Sequence, residues 1–353
     1  MKKSEFNDYQ NKSSKEKYDL KSLSVKEIYS FFENLGLPSF RSKQLIHWIY
    51  ERMVLSVNDI TEFPKDLRTK INDMAYISNI KMIKKLVSTD GTTKFLFELE
   101  DGLSIESVLI PDDDRLTLCV SSQVGCAVGC KFCLTGKGGF KRNLGAHEIV
   151  DQVIAVNRYL KDKKITNIVF MGMGEPLLNL DNVVEALWRI TELIGISKRK
   201  ITVSTSGIVP NILLFQKKAP EVNLAISLNA SSDEIRNKIM PINKKYPLET
   251  LINTCRKYPL NPGRKLTFEY VMIEGINDSL KDAKELVRIL KGIRCNLNLI
   301  PYNPFSENTF KRPSDEKILA FQKMLFHKNR RAIIRESRGQ DILAACGQLR
   351  ASN

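Results

Sequence analysis

Three of the chain's seven cysteines fall within eight residues: Cys126, Cys130 and Cys133 of the stretch GCAVGCKFCLTG. Thiolates ligate metals and iron–sulfur clusters, and three of them make an incomplete set. A structural zinc site takes four Cys or His ligands. None of the three histidines, His47, His147 and His327, lies at zinc-finger spacing from the triplet, so zinc would need Cys119 as its fourth ligand. A [4Fe-4S] cubane held by three thiolates leaves one iron open, and an open iron chelates a small molecule through an amino and a carboxylate group. A second stretch, MGMGEP (Met171 to Pro176), follows an apolar run, and its glycines allow close backbone approach to a ligand.

These residues need a scaffold that brings them together. From residue 115 to 353 the runs LTLCVSS, TNIVFMGMG, RKITVSTSG, EVNLAISLNA, KLTFEYVMIEG, CNLNLIPYNP and RAIIRES are separated by stretches long enough for a helix and return. The pattern predicts an α/β fold with six or seven parallel strands in a barrel or open barrel. Polar and glycine residues gather just after each run, at Gly172 to Glu175, Ser204 to Gly207, Ser227 to Asn229, and Asn303. In such barrels the site forms at the carboxyl ends of the strands. The cysteine triplet sits in the loop after the first run.

Ahead of the barrel, residues 79–114 read as a short antiparallel β extension, with turn signals TDGTTK, LEDGLS and PDDDR between the runs KLVS, KFLFELE and IESVLI. Residues 23–78 read as a small helical domain. Within it Trp48 has the character of core, and Arg41, Lys43 and His47 are candidates to touch a polyanion. Residues 1–22 read as a disordered polar tail.

Seven cysteines without an export signal argue against a disulfide framework and for metal or redox chemistry. No apolar run approaches the roughly 18–20 residues that span a bilayer. The expected location is the cytoplasm. The net charge of +15, spread over recurring basic pairs such as Lys163–Lys164, Lys244–Lys245 and Arg330–Arg331, fits a nucleic-acid partner and equally a lysine-rich solvated surface.

The triplet's spacing, with Phe132 before the last cysteine, resembles the signature of the radical S-adenosylmethionine (SAM) superfamily. MGMGEP resembles that superfamily's SAM-binding glycine element. In wider compass, LCVSSQVGCAVGCKFCLTG, FMGMGEPLLNLDNV, SKRKITVSTSGIVP, MPINKKYP, NLIPYNPF and RGQDILAACGQL resemble the RlmN/Cfr family of radical SAM RNA methyltransferases from about residue 24 onward. The resemblance implies a partial (β/α)6 barrel with a helical N-terminal RNA-binding domain. It implies a [4Fe-4S] cluster on Cys126, Cys130 and Cys133, with SAM chelating the fourth iron. Further SAM contacts are implied at Gly174, Glu175, Ser204, Ser227, Leu228, Asn229 and Asn303.

The implied chemistry explains two more cysteines. Carbons 2 and 8 of adenine have no lone pair with which to displace a methyl group from SAM. One SAM therefore methylates a thiol, here Cys346. A radical made from a second SAM removes hydrogen from that methyl, and the carbon radical adds to the base. A second thiolate, here Cys119, releases the methylated RNA and leaves a disulfide to be reduced. Glu106 matches the implied proton acceptor. The family usually has Ser-Leu-His where this chain has Ser227-Leu228-Asn229, and asparagine cannot titrate near neutral pH. The proline of GEPLLNL resembles the branch acting on C2 of a 23S rRNA adenosine and of the adenosine 3′ of the anticodon in tRNAs, rather than the C8 branch. A flavodoxin- or ferredoxin-type electron donor and a monomeric chain complete the expectation. Two other readings compete with it: a methylthio-transferring radical SAM enzyme, for which the chain lacks a second cysteine triplet, and a zinc-stabilised RNA-binding module without catalysis.

Overall fold

Serine caps and apolar stripes at helical spacing decide how the chain begins. The structure, a computed structural model, describes residues 17–306 and 308–351, and these divide into one unit ending at Asn79 and another beginning at Ile80. In the first unit, strand β1 (Tyr18–Asp19) pairs in parallel with β2 (Ala75–Tyr76), and helices α1 (Val25–Asn34), α2 (Phe40–Tyr50) and α3 (Lys65–Met74) lie between them. Ser24 and Glu27 cap α1 reciprocally: the Glu27 amide donates to Ser24 Oγ, and the Ser24 amide donates to Glu27 Oε2. Ile28, Phe32, Ile49, Phe63 and Ile71 bury the shared face. Most of the tail expected over residues 1–22 lies outside the described residues, but 17–22 are folded, because β1 finds a partner strand in β2. Arg41 does not project from its helix as a free cation. Its guanidinium donates to Gln44 Oε1 and the Glu62 carbonyl and packs over Phe40 and Phe63. Lys43 is exposed, and Trp48 is only partly buried.

In the second unit, β3 (Lys81–Val87), β4 (Thr93–Glu98) and β5 (Ser104–Asp112) form an antiparallel meander, and β5 pairs antiparallel with β6 (Arg115–Cys119). The extension is therefore continuous with the main sheet. A hairpin of β7 (Gln123–Gly125) and β8 (Phe140–Asn143) follows, carrying the cysteine loop and the short helix α4 (Leu134–Lys137). Arg142 locks its base with a fork onto Glu148, in the first turn of α5 (Ala146–Leu160), and a further bond to Asp101.

From β6 the sheet is parallel. It continues through β9 (Asn167–Phe170), β10 (Ile201–Thr205), β11 (Asn223–Ser227), β12 (Leu266–Met272), β13 (Cys295–Pro301) and β14 (Ala332–Ile334). Each strand pairs with its predecessor, and the row runs from β3 at one edge to β14 at the other without closing. The helices α6 (Leu180–Glu192), α7 (Val209–Lys218), α8 (Asp233–Ile239), α9 (Leu248–Lys257), α10 (Leu280–Ile289) and α11 (Asp315–His327) lie in the crossovers. Seven parallel strands and the helices between them give six βα units and a closing strand, an open barrel. Ile168, Val203, Ile226, Phe268 and Leu299 are wholly buried, as expected of parallel strands covered on both faces.

One charged side chain organises the strand ends. Arg236 on α8 is fully buried; its Nε donates to the Leu228 carbonyl, one Nη to the Ser206 and Ser227 carbonyls, and the other Nη to Asn243 Oδ1. Burial pulls the guanidinium down to about 10, although the neighbouring Cys130 and Asp233 oppose the shift. Replacing Arg236 with Met leaves three buried carbonyls short of a donor, a loss of about 3 kcal/mol. Thermal unfolding should show a midpoint lower by roughly 6 °C or more, with a smaller loss for Arg236→Lys.

Candidate active site

The hairpin fixes the cysteine loop at its neck, where the Cys126 amide donates to the Gly139 carbonyl at 2.7 Å. Inside the loop the Cys133 amide donates to the Cys130 carbonyl, and the Lys131 amide ties the loop to the end of α8 through the Ile239 carbonyl at 2.9 Å. Cys126, Cys130 and Cys133 are each partly buried and line one cavity at the carboxyl ends of β9 to β13. Gly174, Glu175, Ser204, Ser227, Asn229, Asn303 and Cys346 line the same cavity.

Burial pushes the Cys126 thiol up to about 12, with Glu175 and Cys133 adding to it. Burial, then the other two thiols, pushes Cys130 far above its usual range, and only Arg236 opposes them. Thiols so placed need a bound cation to ionise, which suits ligands of an iron–sulfur cluster. Among the described residues no group of three or more His, Cys, Asp or Glu side chains is gathered for a single metal ion, and Cys119 does not line the cavity. Cys119 is therefore not gathered with the triplet as a fourth ligand.

The glycine turn after β9 is held against β7. Gly174 has φ +105°, and a Cβ there would lie 2.7 Å from Gln123 Cβ and 2.8 Å from the Gln123 amide nitrogen. Gln123 Oε1 accepts from the Glu175 amide. The Glu175 carboxylate is buried and caps the backbone on both sides, accepting from the Leu177 amide at 3.1 Å and the Ser206 amide at 2.7 Å. Burial raises its pKa in spite of these donors.

The next two strands present Ser204 and Ser227, whose hydroxyls both bond the Glu269 carboxylate, at 2.8 and 3.4 Å. Glu269 lies on β12 and was not singled out from the sequence, although a lone charge inside the apolar run KLTFEYVM is itself a signal. Its backbone carbonyl accepts from the Leu228 and Asn229 amides. Leu228 is fully buried and does not reach the cavity. Asn229 adopts φ +58°, a left-handed conformation that Asn tolerates better than most residues. Its Oδ1 accepts from the Val271 amide at 2.9 Å and its Nδ2 contacts Met240 Sδ. The side chain that replaces the family's histidine thus braces β12 from within.

The C-terminal segment is a strap across the cysteine loop. The Leu134 amide donates to the Gly347 carbonyl at 2.7 Å, Thr135 Oγ1 to the Leu349 carbonyl, and Gln348 Nε2 to the Pro304 carbonyl. Asn303 Nδ2 donates to the Cys346 carbonyl at 3.3 Å. Cys346 is exposed and lines the cavity, and desolvation, then Glu269, pushes its thiol up to about 11. Cys119, at the end of β6, is buried; desolvation first and Cys346 next raise its thiol far above the usual range. Both thiols are free.

Glu106 is not brought into this cavity. It lines a neighbouring pocket with Lys94, Leu343, Gln348 and Arg350, pairs with Lys94 at 3.1 Å, and accepts from the Arg350 amide at 2.8 Å.

Comparison with known proteins is decisive. The chain is 50% identical to the dual-specificity RNA methyltransferase RlmN of Pelobacter propionicus over 95% of its length and 96% of that protein. It is 49% identical to the RlmN of Syntrophobacter fumaroxidans over 94% of its length and 97% of that protein.

The chain belongs to the RlmN family.

The radical SAM superfamily pattern matches residues 120–287, and that of the ribosomal RNA large subunit methyltransferase N-terminal domain matches 18–77. The crystal structure of a radical SAM methyltransferase from Sphaerobacter thermophilus superposes with a TM-score of 0.90 at 43% identity, covering 95% of this chain and 100% of that one. As an RlmN-family member the protein is a SAM-dependent RNA methyltransferase that uses a [4Fe-4S] cluster. The fold is the expected radical SAM α/β barrel.

The glycine turn yields a prediction. In Gly174→Ala the added methyl must displace Gln123 and with it the Glu175 amide. SAM affinity, measured by equilibrium dialysis on the holoenzyme, should fall at least ~10-fold, about 1.4 kcal/mol. The thermal midpoint should fall as well, because the φ of +105° and the Gln123 backbone leave no room for a side chain.

Proposed function

We propose that this enzyme methylates C2 of an adenosine in the peptidyl-transferase centre of 23S rRNA and of the adenosine 3′ of the anticodon in tRNAs, consuming two SAM per turnover. The observation that carries the reading is that Cys346 faces the same cavity as Cys126, Cys130 and Cys133, held there by the strap. The three loop cysteines are the cluster ligands in this reading. Gly174, Glu175, Ser204, Ser227, Asn229 and Asn303 surround SAM, and Leu228 acts only through its backbone. When bound, the cluster and SAM supply a methyl group and a carbon-centred radical.

Cys346 carries the methyl carbon to the base, which its exposed place in the cavity lining permits. Cys119 then attacks the Cys346 sulfur and frees the product. Its burial raises its thiol above the usual range, so it must lose its proton before it can attack. Glu106, the ring-proton acceptor that the resemblance implies, lies outside this cavity and is paired with Lys94, so no contact in the structure supports that role. The target base must leave its stack to enter. The net charge of +15 supports a large RNA substrate bound through its phosphates. No helix among the described residues is long and apolar enough to cross a membrane. We place the enzyme in the cytoplasm as a monomer, served by a flavodoxin- or ferredoxin-type donor.

Pro176 in GEPLLNL supports C2 over C8. Mass mapping of rRNA and tRNA adenosines from a deletion strain and its parent should show loss of 2-methyladenosine; loss of an 8-methyl mark instead would overturn the assignment. Cys346→Ala should abolish both methylation and any protein–RNA adduct. Cys119→Ala should accumulate a covalent Cys346–RNA adduct visible as a shifted band, and normal turnover by that variant would refute the two-thiol mechanism.

A further inference from the structure

We propose that the amino-terminal end of the barrel is a second binding site, for a small molecule that carries phosphate. The cavity described above lies at the carboxyl ends of the strands. A separate cavity of about 750 Å3 lies at their amino ends. Thr202 on β10, Asn223 on β11, Thr267 on β12 and Asn296 on β13 line it. They sit side by side, Thr202 paired with Asn223 and Thr267 with Asn296. Strand residues alternate between faces, and Ser204, Ser227, Glu269 and Ile300 line the carboxyl-end cavity an even number of residues further along the same strands. The two cavities therefore share the inner face of the sheet, from opposite ends.

This is an unusual floor for a barrel, whose interior is ordinarily filled by layers of Val, Ile and Leu. Here four neighbouring strands carry a hydroxyl or an amide instead. Among the described residues, the Thr202 and Thr267 hydroxyls and the Asn296 side-chain amide have no hydrogen-bond partner. They face a cavity of the size that holds small ligands.

The rim is cationic and partly fixed in advance. Arg199, Arg264 and Lys265 line the cavity against one carboxylate, Glu221, a surplus of two positive charges. Arg264 donates from one Nη to Asn223 Oδ1 and from the other to the Glu221 carbonyl, each at 2.8 Å, and its Nε lies 3.4 Å from Glu221 Oε1. Asn223 Nδ2 in turn donates to the Arg199 and Ile201 carbonyls. Arg294 holds the turn before Arg264 by donating to the Leu260 carbonyl at 2.8 Å. Glu221 is thus already paired, whereas Arg199 and Lys265 have no ion pair among the described residues. Two such cations beside a fixed guanidinium, with hydroxyl and amide donors below them, suit an anion rich in acceptor oxygens. Phosphate offers more of these than a carboxylate does.

The test uses SAM-loaded holoenzyme, so that the carboxyl-end cavity is filled, with inorganic pyrophosphate as the probe in equilibrium dialysis. One equivalent per chain should bind saturably, with Kd below about 1 mM. Replacing both rim cations, Arg199→Ala with Lys265→Ala, should weaken binding at least ~10-fold. Thr267→Val keeps every charge and nearly the same shape, and should weaken it about 3-fold or more through the lost hydroxyl. Pyrophosphate should also raise the thermal midpoint of the wild-type protein, and raise that of the double variant far less, which reads binding separately from any loss of folded protein. Binding that does not saturate, or that survives the double variant, would overturn the proposal. So would wild-type affinity in Thr267→Val, since the cations would then be only a solvated basic surface. If tRNA displaces pyrophosphate and the double variant loses tRNA affinity to the same degree, the phosphate recognised is that of an RNA backbone and the small-molecule assignment falls.

Discussion

The hydrogen bond from the Leu134 amide to the Gly347 carbonyl joins two parts of the chain more than two hundred residues apart, and the site depends on it. On one side are the three cysteines of the hairpin loop; on the other is Cys346. Thr135 and Gln348 reinforce the link, and the Arg350 amide extends it to Glu106 on β5. Without the strap, the three-cysteine loop would be a generic radical-generating site. With it, a thiol faces the cavity that the three cysteines line.

The cavity is also a charge trap for a particular kind of ligand. Glu175 and Glu269 are buried in it beside the thiols, and burial raises Glu175, Glu269, Cys126, Cys130 and Cys346. The one buried guanidinium nearby, Arg236, spends its donors on strand-end carbonyls and the Asn243 side chain. A site of this kind is costly to ionise when empty and favours cationic occupants. SAM carries a sulfonium and an ammonium, and the cluster brings iron, so each offsets the desolvation that the protein imposes.

Much of this was legible in the sequence because it is local. The C-x3-C-x2-C spacing, the glycine turn MGMGEP and the polar residues after each apolar run are short-range patterns, and the strand-end rule of α/β barrels gathers them without knowledge of any contact. Four expectations shifted for reasons that only the fold supplies. Arg41 is consumed by Gln44, Glu62 and two phenylalanines rather than left for RNA. Leu228 is core, and only its backbone serves the site. Asn229 braces β12 instead of facing a ligand through both ends of its amide. Glu106 occupies a neighbouring pocket because β5 lies one strand outside the parallel row. Arg236 left no local trace, and the strap was legible only as the motif RGQDILAACGQL, because its bonds are long-range.

The central claim is that the methyl carbon reaches RNA through Cys346 and not directly from SAM. Turnover with SAM bearing a fully deuterated methyl group tests it in one spectrum. The account predicts a product methyl with two deuterium atoms, the third having been removed while the carbon was on Cys346. A product adenosine that retains all three would mean direct transfer, and the account would be wrong.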